Sequence, residues 1–267
     1  MKTFAPVVLV FSTSLTLGPP IDAQESGELA KKLSNPLSDL VSVPFQFNWD
    51  QTVGPQHLTR FTLNVQPVIP FPITPNWSMI WRLITPFVSQ PPLFPGDAGA
   101  FGIADITSSF FFAPRPGSFI WGAGPVLVLP SAAQPTLGSG KWSAGPTIVA
   151  AKQSGAVTFG ALWNQVWSFA GAAARPDVSQ MLLQPFFAYQ ATKTLTLNIN
   201  SEALANWEAS EDTWTAPINF SVSKLSSFGS FPASYQLGWG IYVAHQDIGP
   251  TWKLRSAITL LLPHSRN

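Results

Sequence analysis

The 267-residue chain has no cysteine, which excludes a disulfide framework, thiol chemistry and thiolate metal sites. Charge is scarce too. Asp, Glu, Lys and Arg make up 10% of the residues, against about 25% in an ordinary soluble domain. The 14 basic and 13 acidic side chains nearly cancel and form no basic block or stripe, so nucleic acid is excluded as a partner. After the N-terminus there is no apolar run of roughly 20 residues, the length a membrane-crossing helix needs. The three histidines, His57, His245 and His264, have no metal-ligand spacing. Yet Trp (11) and Phe (20) are abundant, and the mean hydropathy is +0.19. The apolar residues are therefore dispersed along the chain rather than gathered in blocks.

What the chain does have is a period-two alternation from residue 43 to its end. In Val43-Pro44-Phe45-Gln46-Phe47-Asn48-Trp49-Asp50 one face carries Val43, Phe45, Phe47 and Trp49, and the other Gln46, Asn48 and Asp50. A strand sends alternate side chains to opposite faces. A soluble sandwich alternates likewise, but so little charge favours lipid on the apolar side. About twelve such segments occur, at 43–50, 58–71, 77–89, 101–113, 119–129, 142–151, 157–169, 177–190, 195–207, 214–224, 233–246 and 252–262. The clearest pair sets Ile218, Phe220 and Val222 against Asn219, Ser221 and Ser223, and Leu237, Trp239 and Ile241 against Gln236, Gly238 and Gly240. Segments 119–129, 142–151 and 157–169 alternate less cleanly.

An even number of strands, apolar outside and polar within, is what an outer-membrane barrel requires, because closure satisfies every backbone group in lipid. The expected fold class is all-β: a transmembrane antiparallel up-and-down β-barrel of about 12 strands. Long odd-numbered connections, such as 89–100 and 131–140, alternate with tight even-numbered turns, such as Thr74-Pro75-Asn76 and Arg115-Pro116-Gly117. That rhythm matches external loops and periplasmic turns. Trp49, Trp77, Trp121, Trp142, Trp207, Trp214 and Trp252 stand near segment ends, as interfacial girdles require. Pro67, Pro125, Pro146, Pro185 and Pro217 fall inside segments and predict bulges or local breaks, since proline cannot donate to the ladder.

The N-terminus has Lys2, an apolar stretch over 7–17 and the breaker Gly18-Pro19-Pro20. This predicts a signal peptide over 1–23, cleaved after Ala23. Residues 24–42 differ from the rest: Glu28, Lys31, Lys32 and Asp39 alternate with Leu29, Leu33, Leu37 and Leu40 at helical spacing. They are expected to form a short helical segment, either a lid or plug for the barrel or a mobile leader. The barrel occupies 43–267.

The candidate functional surface is the lumen. Asp50, Arg60, Arg82, Asp105, Glu202, Lys224, Lys253 and Arg255 are placed inward, with Gln46, Asn48, Asn64, Gln66, Gln180, Asn198, Asn200 and Asn219 as neutral partners. Charged rings tune selectivity in pores, and this mixture of signs predicts weak ion selectivity. The same charges, paired across a narrow barrel, would instead seal it. Gly138-Ser139-Gly140-Lys141 lacks the remaining spacing and the strand-to-helix context of a phosphate loop. Glu208, Glu211 and Asp212 read as a solvated acidic loop, or as a contact for cations bridging lipopolysaccharide. No catalytic set, cofactor site or metal site is expected. A hydrolase on the barrel wall would need His57 or His245 beside an activated serine.

Several stretches carry a resemblance: Ser26-Gly27-Glu28-Leu29-Ala30-Lys31-Lys32-Leu33-Ser34-Asn35-Pro36, Leu63-Asn64-Val65-Gln66-Pro67-Val68-Ile69-Pro70, Gln90-Pro91-Pro92, Ile120-Trp121-Gly122-Ala123-Gly124-Pro125, and Gly138-Ser139-Gly140-Lys141-Trp142-Ser143-Ala144-Gly145-Pro146. Gln165-Val166-Trp167-Ser168-Phe169-Ala170-Gly171, Asp177-Val178-Ser179-Gln180 and Pro217-Ile218-Asn219 extend it over nearly the whole mature chain. It resembles a family of bacterial outer-membrane barrels described as transporters, as "MetA-pathway of phenol degradation" proteins, or under the misleading label neuromedin U. The resemblance implies uptake or efflux of small solutes, aromatic or hydrophobic ones among them, with no catalytic residues. The expected partners are outer-membrane lipid and lipopolysaccharide, the barrel assembly machinery and a small-molecule solute. The chain departs from many outer-membrane proteins in ending without a terminal Phe. The alternative is a barrel that transports nothing and serves adhesion or envelope integrity through its loops.

Overall fold

The structure, a computed structural model, describes residues 23–94, 96–114, 117–229 and 231–262. The predicted signal peptide, apart from Ala23, lies outside the described residues, as do Arg115, Pro116, His264 and the chain end. Helix α1 (Ala23–Leu33) precedes fifteen strands: β1 (Val41–Val53), β2 (Leu58–Val65), β3 (Val68–Thr74), β4 (Trp77–Gln90), β5 (Ala100–Ile103), β6 (Ile106–Pro114), β7 (Phe119–Leu129), β8 (Lys141–Ser154), β9 (Val157–Gly171), β10 (Ser179–Gln190), β11 (Leu195–Ser201), β12 (Ala203–Asn206), β13 (Trp214–Phe228), β14 (Phe231–Ala244) and β15 (Trp252–Leu262). Three staves are interrupted, β2 with β3, β5 with β6, and β11 with β12, so the fifteen segments form twelve staves. Every neighbour is antiparallel, and β1 pairs with β15 from Val41↔Leu262 to Gln51↔Trp252 to close the cylinder. Closure leaves no free sheet edge, the condition for strands in hydrocarbon.

The outer face is a belt of large apolar side chains. Leu237 is 72% exposed, and Phe159, Ile199, Phe220, Val222 and Val243 are also exposed. Side chains of this kind form an apolar patch too large for water to tolerate. Aromatic pairs gather at both rims. Trp77 and Trp121 meet edge to face at 6.0 Å at the end of the short turns, and Trp207 and Trp214 at 5.9 Å at the end of the long loops. Two girdles of amphipathic rings mark where a bilayer's interfaces fall.

The prolines take two kinds of place. Pro67 lies in the break between β2 and β3, and a register shift separates Ala216 from Pro217. Pro125 and Pro146 instead lie opposite each other in the β7–β8 pair. In an antiparallel ladder, residues facing each other at a non-hydrogen-bonded position aim their N–H groups at the outer neighbours. The β6–β7 ladder is accordingly interrupted between Ser109↔Val126 and Phe112↔Ala123, and the β8–β9 ladder between Ala144↔Trp167 and Thr147↔Asn164. The adjoining Gly124 and Gly145 let the chains close in there. A Cβ on either would collide with the carbonyl of Phe110 or Gln165.

Helix α1 caps the turn end. Gln190 Nε2 donates to the Gly27 carbonyl at 3.1 Å and Gln153 Nε2 to the Lys31 carbonyl at 3.0 Å. After the helix the chain reverses: Asn35 Oδ1 accepts from the Leu37 amide at 2.9 Å, and Lys32 pairs with Asp39 at 2.9 Å. The tip, Leu37, enters the barrel and is buried among Ile80, Phe111, Ala113, Ile120, Val149, Ala151 and Leu162. Gly122 makes the room, since a Cβ there would stand 2.8 Å from Leu37 Cδ1. Residues 34–40 therefore lie within the lumen at its turn end.

Candidate functional site: the lumen

Strand alternation brings most of the predicted lumen residues together on the inner face. Asp50 and Arg60 are direct cross-strand partners, and Arg60 donates to Asp50 Oδ2 from Nη2 at 3.0 Å and from Nε at 3.2 Å. Tyr242 donates to the other Asp50 oxygen at 2.7 Å. Glu202, at the break between β11 and β12, continues the inward phase of Asn198 and Asn200, and Arg255 grips it with a two-pronged contact, Nη1 to Oε1 at 2.8 Å and Nη2 to Oε2 at 2.7 Å. Lys253 adds a third bond to Oε2 at 3.2 Å and lies 5.4 Å from the Tyr242 ring centroid. Asn48 Oδ1 accepts from Arg255 Nε at 2.7 Å, and Tyr242, bonded to Asp50 and beside Lys253, joins the two carboxylate clusters into one layer. Lys253 and Arg255 are both nearly inaccessible. Charges this deep survive only with partners and hydrogen bonds of this quality.

Neutral amides continue the layer towards the turn end. Gln46 Oε1 accepts from Asn48, Asn64 and Gln66 at 3.3 to 3.4 Å. Asn219 Nδ2 donates to Asn200 Oδ1 at 2.8 Å, and Asn198 Nδ2 to Ser223 at 3.0 Å. Gln180 shares the inner face of β10 with Leu182 and Gln184. Arg82 donates to Gln66 Oε1 at 2.9 Å. Two cavities flank it. A lower one of about 310 Å³ is bounded by residues 32–36, Ile80, Phe111, Leu162 and Phe186, and an upper one of about 300 Å³ by Asp50, Thr62, Glu202, Tyr242 and Arg255. Gln66, Arg82 and Gln184 border both.

Two of the predicted residues are not where the alternation was expected to put them. Lys224 is exposed on the outward side of β13, paired with Leu195 and Tyr235 and in phase with Phe220 and Val222. Parity alone dictates this, because even-numbered positions from 218 to 228 face out. Its place near the turn end lets the ammonium reach the interface while the stem stays in the belt. Asp105 lies in the break between β5 and β6 and holds a loop: its Oδ2 accepts from the Ser139 amide at 2.6 Å and hydroxyl at 2.8 Å, and Oδ1 from the Ala132 amide at 3.3 Å. Arg175 ties the same loop by donating to the carbonyls of Pro135, Gly138 and Ser139.

Lys141 links this loop to the next through Asp177 at 3.0 Å. The hydrogen bond and charge of Lys141, with a hydrogen bond from Ser168, hold the Asp177 carboxyl below its ordinary range. His57 and His245 stand at the loop end. Neither is hydrogen-bonded to a serine among the described residues; His245 Nδ1 meets the Gln246 carbonyl oxygen at 2.8 Å. Glu208, Glu211 and Asp212 stay in the loop at 207–213 and assemble no cluster of three or more metal-type ligands among the described residues.

The apolar half of the lumen escaped the sequence reading. Ile80, Phe111, Ile120, Val149 and Leu162 all point inward. For Ile120, Val149 and Leu162 the signal was the blurred alternation of segments 119–129, 142–151 and 157–169, where both faces are apolar because the inner one packs against Leu37.

A closed twelve-stave cylinder with a lipid-facing apolar belt, aromatic girdles and a polar, ion-paired interior is a transmembrane barrel of the outer-membrane class. Solved structures agree at the level of the fold. The chain is similar to the COG4313 outer membrane channel from Pseudomonas putida F1, with a TM-score of 0.63 and 16% identity over 84% of this chain and 96% of that one. It is also similar to the NanC porin, with a TM-score of 0.54 and 7% identity over 84% of this chain and 100% of that one. No family model and no curated sequence matches the chain.

Proposed function

We propose that this protein is exported through a cleaved signal peptide, resides in a bacterial outer membrane with its short turns towards the periplasm, and passes small solutes, aromatic or hydrophobic ones included, through its lumen. The observation that carries this reading is the pair of cavities stacked along the lumen on either side of Arg82. In this reading residues 24–42 act as a displaceable plug. Side-chain hydrogen bonds from the wall hold α1 at two carbonyls, and Leu37 is the apolar anchor. Neither passage nor plugging requires a cofactor or covalent chemistry.

The test is single-channel conductance of the purified, refolded protein in planar bilayers, beside a variant lacking 25–39 and a Leu37→Asp variant. A carboxylate among apolar side chains costs several kcal/mol unless it leaves, so Leu37→Asp should free the tip. Conductance steps that grow in both variants are expected. Silence in all three, from protein shown to be inserted, would overturn passage. It would favour a sealed barrel that presents its loops, the reading to which the ion-paired layer around Glu202 lends weight.

A further inference from the structure

Arg82 stands apart from the other lumen cations. Arg60 is committed to Asp50, and Lys253 and Arg255 to Glu202. Among the described residues Arg82 has no carboxylate in ion-pair contact, and its one side-chain hydrogen bond goes to the neutral amide of Gln66. A guanidinium presents five N–H donors in a flat fork that matches a carboxylate with two parallel bonds. Most of that capacity is unspent where the two cavities meet. Gln184 borders the same junction, and its amide makes no hydrogen bond among the described residues. Immediately below, the wall turns apolar with Ile80, Phe111, Leu162 and Phe186.

We infer that the lower cavity binds a small monocarboxylate with an apolar body, its carboxylate on Arg82 and Gln184 and its ring or short alkyl chain against Phe186, Val68 and Leu40, which keep part of their surface open while Ile80 and Phe111 behind them pack on Leu37. Local pairing selects one negative charge, because among the described residues Arg82 alone of these cations touches no carboxylate, whereas the excess charge of Lys253 and Arg255 is bound at Glu202 in the layer above. Shape selects the rest. A cavity of about 310 Å³ is at the small end of ligand pockets, which join apolar walls to a few convergent polar groups. A neutral solute of the same outline would leave the guanidinium without its counter-charge, and a small hydrophilic anion would leave Phe186, Val68 and Leu40 uncovered. This assignment names the solute class for the passage proposed above and rests on it for its purpose, though not for its chemistry.

Equilibrium binding to the folded barrel in detergent decides the matter, with benzoate and hexanoate as probes and benzyl alcohol and acetate as comparisons. Benzoate should bind the wild type more tightly than either comparison. Arg82→Gln should weaken it by about tenfold or more, as the loss of a charge-assisted contact implies, with little change for benzyl alcohol. Arg82→Lys, which keeps the charge and loses the fork, should recover part of the affinity. Heat-modifiable electrophoretic mobility confirms that each variant is folded. Equal benzoate affinity in wild type and Arg82→Gln, or none in the wild type, overturns the assignment. Conductance is read separately. Benzoate that binds through Arg82 in a silent barrel sinks passage and leaves the site, whereas a conducting barrel indifferent to benzoate sinks the site and leaves passage.

Discussion

Glu202 is the residue on which the lumen's polar layer depends, since it alone receives bonds from both Lys253 and Arg255. Removing one partner of a buried pair leaves the other charge in low dielectric without compensation, at a cost of about 3 to 5 kcal/mol. The Glu202 side chain keeps 26% of its exposure, so Glu202→Gln should fall at the low end, about 3 kcal/mol of lost stability, read from urea unfolding of the refolded barrel. A loss below about 1 kcal/mol would mean that water in the upper cavity already solvates both cations.

Asp177 is the contrasting case, a largely exposed carboxylate paired with Lys141. Its folded-state pKa is depressed, so its contribution is present above the unfolded-state value and disappears as pH falls through the folded-state value. The tie between the two loops should therefore loosen in acid. Proteolysis within 172–178 should quicken there in the wild type, while in Asp177→Asn it should be fast at every pH. A wild-type rate that ignores pH would show that Arg175 carries the tie alone.

At the scale of elements, β14 offers the sharpest test of which side faces lipid. Leu237 and Gln236 are neighbours on opposite faces, one in the belt and the other beside the lower cavity. Arginine facing lipid near the midplane costs roughly 2 to 4 kcal/mol, and much less in a wet lumen. Leu237→Arg should reduce the folded, inserted fraction measured by heat-modifiable mobility, and Gln236→Arg should not. Equal tolerance would reverse the assignment of faces.

The same rule explains what was legible in the sequence. Twelve staves could be read because alternation has period two and lipid enforces one face of it. β1 and β13 to β15 read clearly because their inner faces carry amides, hydroxyls and charges. The lumen side of β7 to β9 could not be read, because Val149 and Leu162 serve an inner apolar pocket whose occupant, Leu37, lies more than a hundred positions away. Of the candidate charges, Asp50, Arg60, Arg82, Glu202, Lys253 and Arg255 face the lumen as parity required. Lys224 was misplaced against its own parity, and Asp105 turned to the loop because the break between β5 and β6 falls beside it.

Over the whole molecule, the described strands and their breaks turn four cations, Arg60, Arg82, Lys253 and Arg255, and two carboxylates, Asp50 and Glu202, into the lumen, and the Lys32–Asp39 pair at the turn end adds no net charge. Pairing cancels most of the field at the layer itself, but two positive charges remain uncompensated within a narrow, low-dielectric cylinder. An open lumen should therefore pass anions somewhat better than cations, a preference measured as reversal potential under a potassium chloride gradient. Salt supplies an internal control. Exposed charges are felt over about 10 Å at 0.1 M ionic strength and about 3 Å at 1 M, so the preference should shrink as the mean salt concentration rises. Glu202→Gln removes a negative charge and should strengthen the anion preference; Arg82→Gln removes a positive one and should weaken it. Opposite shifts in the two variants would locate the permeation path at the Arg82 junction and the Glu202 layer, whereas cation preference in the wild type would place the path elsewhere, towards the acidic loop at 207–213.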